Sequence, residues 1–515
     1  MPKLRKLLLA TAAVFISLLS FAQVTTSSIS GTVKDKNGSG LEGATITATH
    51  IPTGTVYNTI SKRGGVFNLP NVRIGGPYRL KVEFVGQKAY EVEGFSLLLG
   101  EPYDIKVDMS DDVKQITEVV VTGGKRRGAG DKTGATTNIN QRLITTIPTI
   151  SRSLTSFTAL TPQSNGNSFA GRDGRYNNLQ IDGANLNNNF GLNPSPLPGG
   201  ANQPISVDAI EELSVNISPF DVWQGNFTGA GINVVTKSGT NQFKGSAYGL
   251  LRTEKMNGKN AGSVKITNIS QSTSKIYGAT IGGPIIKNKL FFFLSGERET
   301  RDVPGITFTP KGGSGAGNIS NTPIDSLSKL SNHLRTKYNY ETGAFDNFPN
   351  FITENYKLLG KIDWNLSKVH KVTLRYQELS GNDDQPLNGS SVPNASSFLP
   401  AGGSSITRLP QNRFSNNSMS FNNSNYSFKD IVRSGAFEIN SSKSGTWANQ
   451  FITTFTSIRA TRATNGSLFP GVDIFNGAGN NYMSFGTDPF TNNNDVPRQT
   501  SMNSGGPSLL PRLPH

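Results

Sequence analysis

Apolar and polar positions alternate with period two through most of the second half of this chain. In the clearest case Tyr356, Leu358, Gly360, Ile362 and Trp364 alternate with Lys357, Leu359, Lys361 and Asp363. After a short turn, Val372, Leu374 and Tyr376 alternate with Lys371, Thr373, Arg375 and Gln377. Successive strand residues point to opposite faces, so this predicts a hairpin with one apolar and one largely polar face. Residues 276–282 and 290–297, joined through Gly283 and Pro284, predict another hairpin, and Trp447, Phe451 and Phe455 share one parity of a further strand. Between these hairpins lie long Asn/Ser/Gly/Pro-rich tracts, roughly 301–350 and 380–430, read here as polar loops. Short turns on one side, long loops on the other and an outward apolar face are the pattern of a transmembrane β-barrel, with Trp364 and Tyr376 suited to its interfacial girdles.

The first hundred residues alternate differently. Short β-rich runs at 29–35, 44–49, 56–61, 78–84 and 103–109 are separated by turn residues such as Asn37-Gly38, Gly64-Gly65 and Gly75-Gly76-Pro77. They predict a small all-β domain cored by Val33, Ile46, Val56, Phe67, Leu80, Val82 and Phe84. The string G-T-V-K-D-x-x-G-x-x-L-x-G-A-T-I, followed by T-G-T, G-G-V-F-N-L and Y-R-L-K-V-E-F-V-G, resembles the carboxypeptidase regulatory-like domain. Gly31, Val33, Gly43, Ala44, Gly65, Phe67 and Tyr78 carry the match. The resemblance implies a seven-stranded sandwich of the transthyretin type. Gly38-x-Gly40-x-x-Gly43 is formally a dinucleotide fingerprint, but it lies between two strands, where no helix N-terminus can meet a pyrophosphate.

The N-terminus reads as a secretory signal over residues 1–22. Lys3, Arg5 and Lys6 precede an apolar run at 7–21, and Ser20 and Ala22 stand at −3 and −1 of a cleavage before Gln23. The run is short for a span of ~20 apolar residues. The chain contains no cysteine, which excludes lipid acylation of a cysteine, disulfides and thiolate metal sites. No other segment approaches a transmembrane helix, so entry into a membrane would require a closed barrel. The net charge of +15 invites a nucleic-acid reading. It is spread along the chain, however, and its densest cluster, Lys125, Arg126 and Arg127, lies in a Gly-rich linker without aromatics for base stacking. No nucleic-acid partner is expected.

Residues 208–252 contain A-I-E-E-L, then G-x-G-I-N-V-V-T-K, then a strand. This order resembles the junction between plug and barrel in TonB-dependent outer-membrane receptors, and G-I-N-V-V-T-K-S-G-T-N-x-F-K-G resembles their Oar-like branch. The string Y-G-A-T-I-G-G-P-I-I-K-N-K-L-F-F-F looks Oar-like again. The resemblance implies a mainly β protein. Its parts are a signal peptide (1–22), the β-sandwich (23–109), a linker (110–124), a mixed α/β plug (125–235) and the N-terminal part of an outer-membrane antiparallel β-barrel (236–515). In the linker, Ile116, Thr117, Glu118, Val119, Val120, Val121 and Thr122 resemble a TonB box. Such a segment would add a strand to a sheet edge of the periplasmic domain of TonB, through backbone hydrogen bonds. Its β-branched valines favour extension, and Gly123, Gly124 and Gly128 give it reach.

In the plug, residues 143–148 and 153–160 resemble its first short elements. The run from Phe169 to Leu186 reads as a strand pair turning at Asp182 and Gly183. Residues 207–213 are expected to form a short helix delivering Glu211 and Glu212. The resemblance suggests that these acids, with Arg172 and Arg175, lock the plug to the barrel wall; the alternative is unrelated surface charge.

No catalytic constellation is visible. The four histidines are scattered, and there is no Walker A loop, nucleophile elbow or H-E-x-x-H. Gly312–317 is read as a loop. Neither enzyme activity nor a cofactor is expected. The reading is an energised outer-membrane receptor-transporter, for uptake or export of an unidentified extracellular ligand, seated in outer-membrane lipid and lipopolysaccharide with its N-terminal domain in the periplasm. The alternatives are a surface adhesin or carbohydrate-binding protein without TonB coupling, and a regulatory domain attached to a secreted peptidase. The resemblance also implies a closed barrel of about 22 strands, which needs more chain than residues 233–515 supply. The expectation is therefore a C-terminally truncated chain, an open sheet and a poorly structured tail after about Gly471.

Overall fold

The computed structural model describes residues 25–110, 135–149, 152–187, 203–219, 224–265, 271–315, 317–392, 408–443, 446–477, 479–488, 490–491, 498–505 and 508–509. Residues 1–22, expected to be a signal segment, and residues 116–122, expected to resemble a TonB box, lie outside them.

The N-terminal domain is a β-sandwich. Its strands are β1 (Ser27–Lys34), β2 (Thr45–His50), β3 (Thr55–Ile60), β4 (Val66–Val72), β5 (Gly75–Glu83), β6 (Tyr90–Leu97) and β7 (Pro102–Asp108). They pair as β4-β1-β7 and β3-β2-β5-β6. The alternation reading misses β4 and β6, the first because Pro70 and Asn71 interrupt its pattern and the second because its apolar parity shifts at Gly94, between Val92 and Phe95. Ile29, Val33, Ile46, Phe67, Leu80 and Val82 are buried together between the sheets. Val56 is not among them: it is 42% exposed. β3 buries the opposite parity, Thr55, Tyr57 and Thr59, so the larger Tyr57 ring occupies the core. Gly31 allows β1 to lie parallel against β7, because a Cβ there would collide with the Ile105 carbonyl.

This domain has its own core, so residues 23–110 expressed alone are expected to melt cooperatively with β-type circular dichroism. Phe67→Ala should cost about 3–5 kcal/mol in a denaturant titration of that fragment. A disordered spectrum for the unsubstituted fragment would contradict this.

The inner domain starts with β8 (Thr136–Asn140) and two short helices. Asn140 caps α1 (Gln141–Thr146) and Ser153 caps α2 (Leu154–Thr158), each side chain accepting a first-turn N–H. A five-stranded sheet follows in the order β10-β9-β12-β11-β8, with β9 (Asn178–Ile181), β10 (Ala184–Asn185), β11 (Ile210–Asn216) and β12 (Gly231–Thr236). The helix expected over 207–213 is absent. A single 3-10 turn, Val207–Ala209, leads directly into β11. That strand pairs with β12 on one side and β8 on the other. Its buried Ile210, Leu213 and Val215 are satisfied as a central strand, so tertiary pairing overrides the helical look of I-E-E-L.

The wall is an antiparallel sheet in sequential order. It comprises β13 (Lys244–Thr253), β14 (Thr273–Ile286), β15 (Leu290–Val303), β16 (Phe351–Asn365), β17 (His370–Gln385), β18 (Tyr426–Lys443), β19 (Trp447–Thr464) and β20 (Arg498–Gly505). Tyr356, Leu358, Ile362 and Trp364 face outward, while Lys357, Leu359 and Lys361 are buried on the inner face. Among the described residues β13 and β20 each have one neighbouring wall strand, so the sheet is open. The poorly structured tail is corrected: β20 pairs with β19, and Val472–Phe475 and Asn481–Phe485 form a small sheet with Met419–Ser420.

The long polar tracts are corrected as well. They contain α3 (Ile324–Tyr338), which ends at Asn339 in the left-handed region (φ 50°). Leu327 and Leu334 of α3 pack with Tyr340, Met419, Phe421 and Phe485 from separate connections into one outer cluster. The apolar residues are too widely spaced in sequence to reveal a core that only the assembled loops create.

Candidate functional site

Where the inner domain meets the wall, the contact is part apolar and part ionic. Phe293, Leu359, Leu379, Val432 and Ile458 come from five consecutive wall strands and join the inner domain's core. Leu379 pairs with Val432, and Val432 with Ile458, so their side chains form a ladder on the inner face.

Beside that ladder sits Asp182. It occupies the β9–β10 turn with Gly183, both at positive φ (43° and 79°), as a two-residue hairpin requires. The turn places a buried carboxylate against two wall cations: Lys361 Nζ lies 3.6 Å from Oδ1 and Arg375 Nε 3.4 Å from Oδ2. Thr236 donates to it twice, from its N–H (2.9 Å) and its hydroxyl (2.5 Å). Burial alone would raise the Asp182 carboxyl. The Lys361 ammonium, the Arg375 guanidinium and the Thr236 donors outweigh that and hold it below the ordinary carboxylate range.

Each cation is also tied to the inner domain's backbone. Lys361 Nζ donates to Thr236 O (3.1 Å) and Arg375 Nη2 to Ile181 O (3.1 Å). Gln377 Nε2 donates to Pro204 O at 2.6 Å. A second seat lies at Ser206, whose hydroxyl donates to Glu297 (2.9 Å), itself paired with Lys357 (2.6 Å). Discrete hydrogen-bonding wall groups therefore hold one small domain in place. Among the described residues no three His, Cys, Asp or Glu side chains cluster as a metal site.

Arg172 and Arg175 do not make this contact. Both are exposed, and Arg175 pairs with Asp173 two residues away (3.1 Å). Glu212 is buried, but accepts from the Leu99 N–H of the sandwich (2.9 Å). The Glu211 carboxylate lies beside Gly75, also of the sandwich. These two acids thus face the N-terminal domain, and the expected wall lock falls instead on Asp182, expected only as a turn residue. Lys357, Lys361, Arg375 and Gln377 carry the wall side. Their signal in the sequence is their parity, cationic or amide groups on the face opposite the aromatic one.

Comparison with known proteins fits this architecture. Residues 28–110 match the carboxypeptidase regulatory-like domain. Residues 235–506, more than half of the chain, match the outer membrane beta barrel domain, and the chain belongs to that family. Its place is the outer membrane; no helix among the described residues is long and apolar enough to cross one, and a barrel crosses with strands. Among curated proteins the chain is similar to the TonB-dependent transporter Oar of Myxococcus xanthus, 26% identical over 294 residues. That match covers 53% of this chain and 26% of the relative, so the chain spans about a quarter of its length. Among solved structures, the outer membrane transporter YddB from Escherichia coli matches at TM-score 0.45 and 13% identity, covering 72% of this chain and 44% of that one. The ferric enterobactin receptor from Pseudomonas aeruginosa matches at TM-score 0.43 and 12% identity, covering 74% and 46%.

Proposed function

We propose that this protein is an energised outer-membrane receptor-transporter in which the inner domain is the plug. The observation that carries this reading is the seat: a small domain with its own sheet, held inside a barrel-type wall by discrete buried polar contacts beside an apolar ladder. Residues 116–122 would bind the periplasmic domain of TonB by strand addition. They lie between the sandwich and the plug, so a pull on them acts on the plug's first strand, β8, which has only β11 as a sheet neighbour among the described residues. The ligand would bind on the extracellular side, among the loops around α3. The homology to a transporter supports this class of activity and leaves the ligand unidentified.

The absence of cysteine makes a direct test possible. Ser206 is 3% exposed and sits on the plug–wall contact. In growing cells, Ser206→Cys is expected to react with a membrane-impermeant maleimide when the inner membrane is energised, and to be protected after a protonophore. Equal labelling in both states would overturn the reading.

A further inference from the structure

The sandwich grips the plug and the wall at the same time. On the plug side, Leu99 and Ile74 share a small apolar core with Val235. The Leu99 N–H binds Glu212, and Asn138 donates to Glu101 at 2.8 Å. On the wall side, Thr25 donates to Glu438 (2.8 Å), Asn365 donates to Thr55 (2.9 Å), and Lys371 lies 4.2 Å over the Tyr57 ring. The Asn241 N–H donates to Pro52 O (2.8 Å), and Arg73 faces Asp363 at 3.9 Å. These wall residues sit at the rim of short connections, 287–289 and 366–369, which is the periplasmic rim of an outer-membrane barrel. Between the three bodies lies a cavity of about 380 Å³ that Asp182, Lys361 and Arg375 share with His50, Tyr57 and Arg73 of the sandwich. The domain therefore floors the space beneath the ionic seat.

We infer that the sandwich is a latch: docked on the rim, it bolts plug to wall from the periplasmic side, and the plug moves only after it lets go. A plug displaced towards the periplasm while the sandwich stays docked would have to break the Glu212, Glu101 and Val235 contacts and push through the domain itself. The Asp182 triad is also strengthened while the sandwich keeps the cavity's periplasmic side covered, because charges attract more strongly away from bulk water. Release of the sandwich loosens the seat before the wall contacts are touched. This rests on the transporter reading above and assigns a role to a domain that reading leaves idle.

The geometry supplies its own lock. A Cβ built on Gly54 of the sandwich would stand 3.5 Å from Asn288 Cβ of the wall, inside the disulfide range of about 3.5–4.5 Å. The collision it would have with the Asn288 amide vanishes when Asn288 is replaced too. Both positions are at positive φ (63° and 62°), so a second pair, Thr55→Cys with Asn365→Cys, joined by a short bifunctional thiol linker, guards against a strained first one. Each pair is placed in the Ser206→Cys background. The expected result is an intramolecular bridge in cells, loss of energised labelling at position 206 to the protonophore level, and recovery on reduction or, for the linked pair, when the linker is omitted. If neither pair bridges, the docking is wrong and the latch falls. If the bridge forms and energised labelling persists, the latch is overturned while the transporter reading stands. If the thiol introduced at position 206 is never labelled, even unbridged, both fall together.

Discussion

Asp182→Asn is expected to unseat the plug at a cost of about 3–5 kcal/mol, the usual consequence of removing one partner from a buried ion pair. The substitution keeps the side chain's shape. It leaves Lys361 and Arg375, both buried, facing each other across a neutral amide. Amide hydrogen exchange of β9 and β12 in the purified protein should rise sharply, with little change in the sandwich strands β1 and β2. Adding Lys361→Met removes the surplus cation and should recover part of the loss. A merely steric role for Asp182 predicts no such recovery.

The pH dependence follows from the same group. Because the folded-state value of Asp182 is depressed, its contribution is present above the unfolded carboxylate value of about 3.9. It is lost as pH falls through the lower folded-state value. The unsubstituted plug should therefore loosen on strong acidification, and Asp182→Asn should lack that acid limb. Identical acid profiles for the two proteins would remove Asp182 from the seat.

Val120→Pro is expected to abolish energised plug movement while leaving insertion in the outer membrane intact. Proline removes one backbone N–H and fixes φ, and strand addition depends on backbone donors as much as on side chains. Val120→Thr keeps the β-branched shape and the N–H, and should be nearly silent. The readout is maleimide labelling of the Ser206→Cys background in energised cells: protected in the proline variant, exposed in the threonine variant. If the two variants behave alike, residues 116–122 are an ordinary linker and the coupling site lies elsewhere.

Much of the wall was legible because a strand with one face outward must alternate. Tyr356, Leu358, Ile362 and Trp364 against Lys357, Lys361 and Asp363 set the two faces apart, with Leu359 an apolar residue on the inner parity. The sandwich was partly legible for the same reason, and Val56 shows the limit. In β3 both parities carry apolar residues, so only packing decides that Tyr57 goes in. Asp182 and Gly183 were readable as a turn from local chemistry alone, but the identity of the turn's partners was not. Lys361 lies almost two hundred residues away, and nothing local ties it to a carboxylate in another domain. Glu211 and Glu212 were misassigned because they were expected on a helix aimed at the wall. They lie instead at the start of β11, where Leu99 and Gly75 of the sandwich meet them. The outer cluster around Leu327 and Phe421 was hidden by composition, since few apolar residues suffice when separate connections pool them.

The central claim is that residues 116–122 couple this plug to TonB. Its most direct test places a photo-cross-linking amino acid at Val119 of the protein in its own cells. The expected result is an adduct of this protein with TonB, present in the Val120→Thr background and lost with Val120→Pro. Adducts formed only with the protein's own sandwich or barrel, with none to TonB in any background, would contradict it.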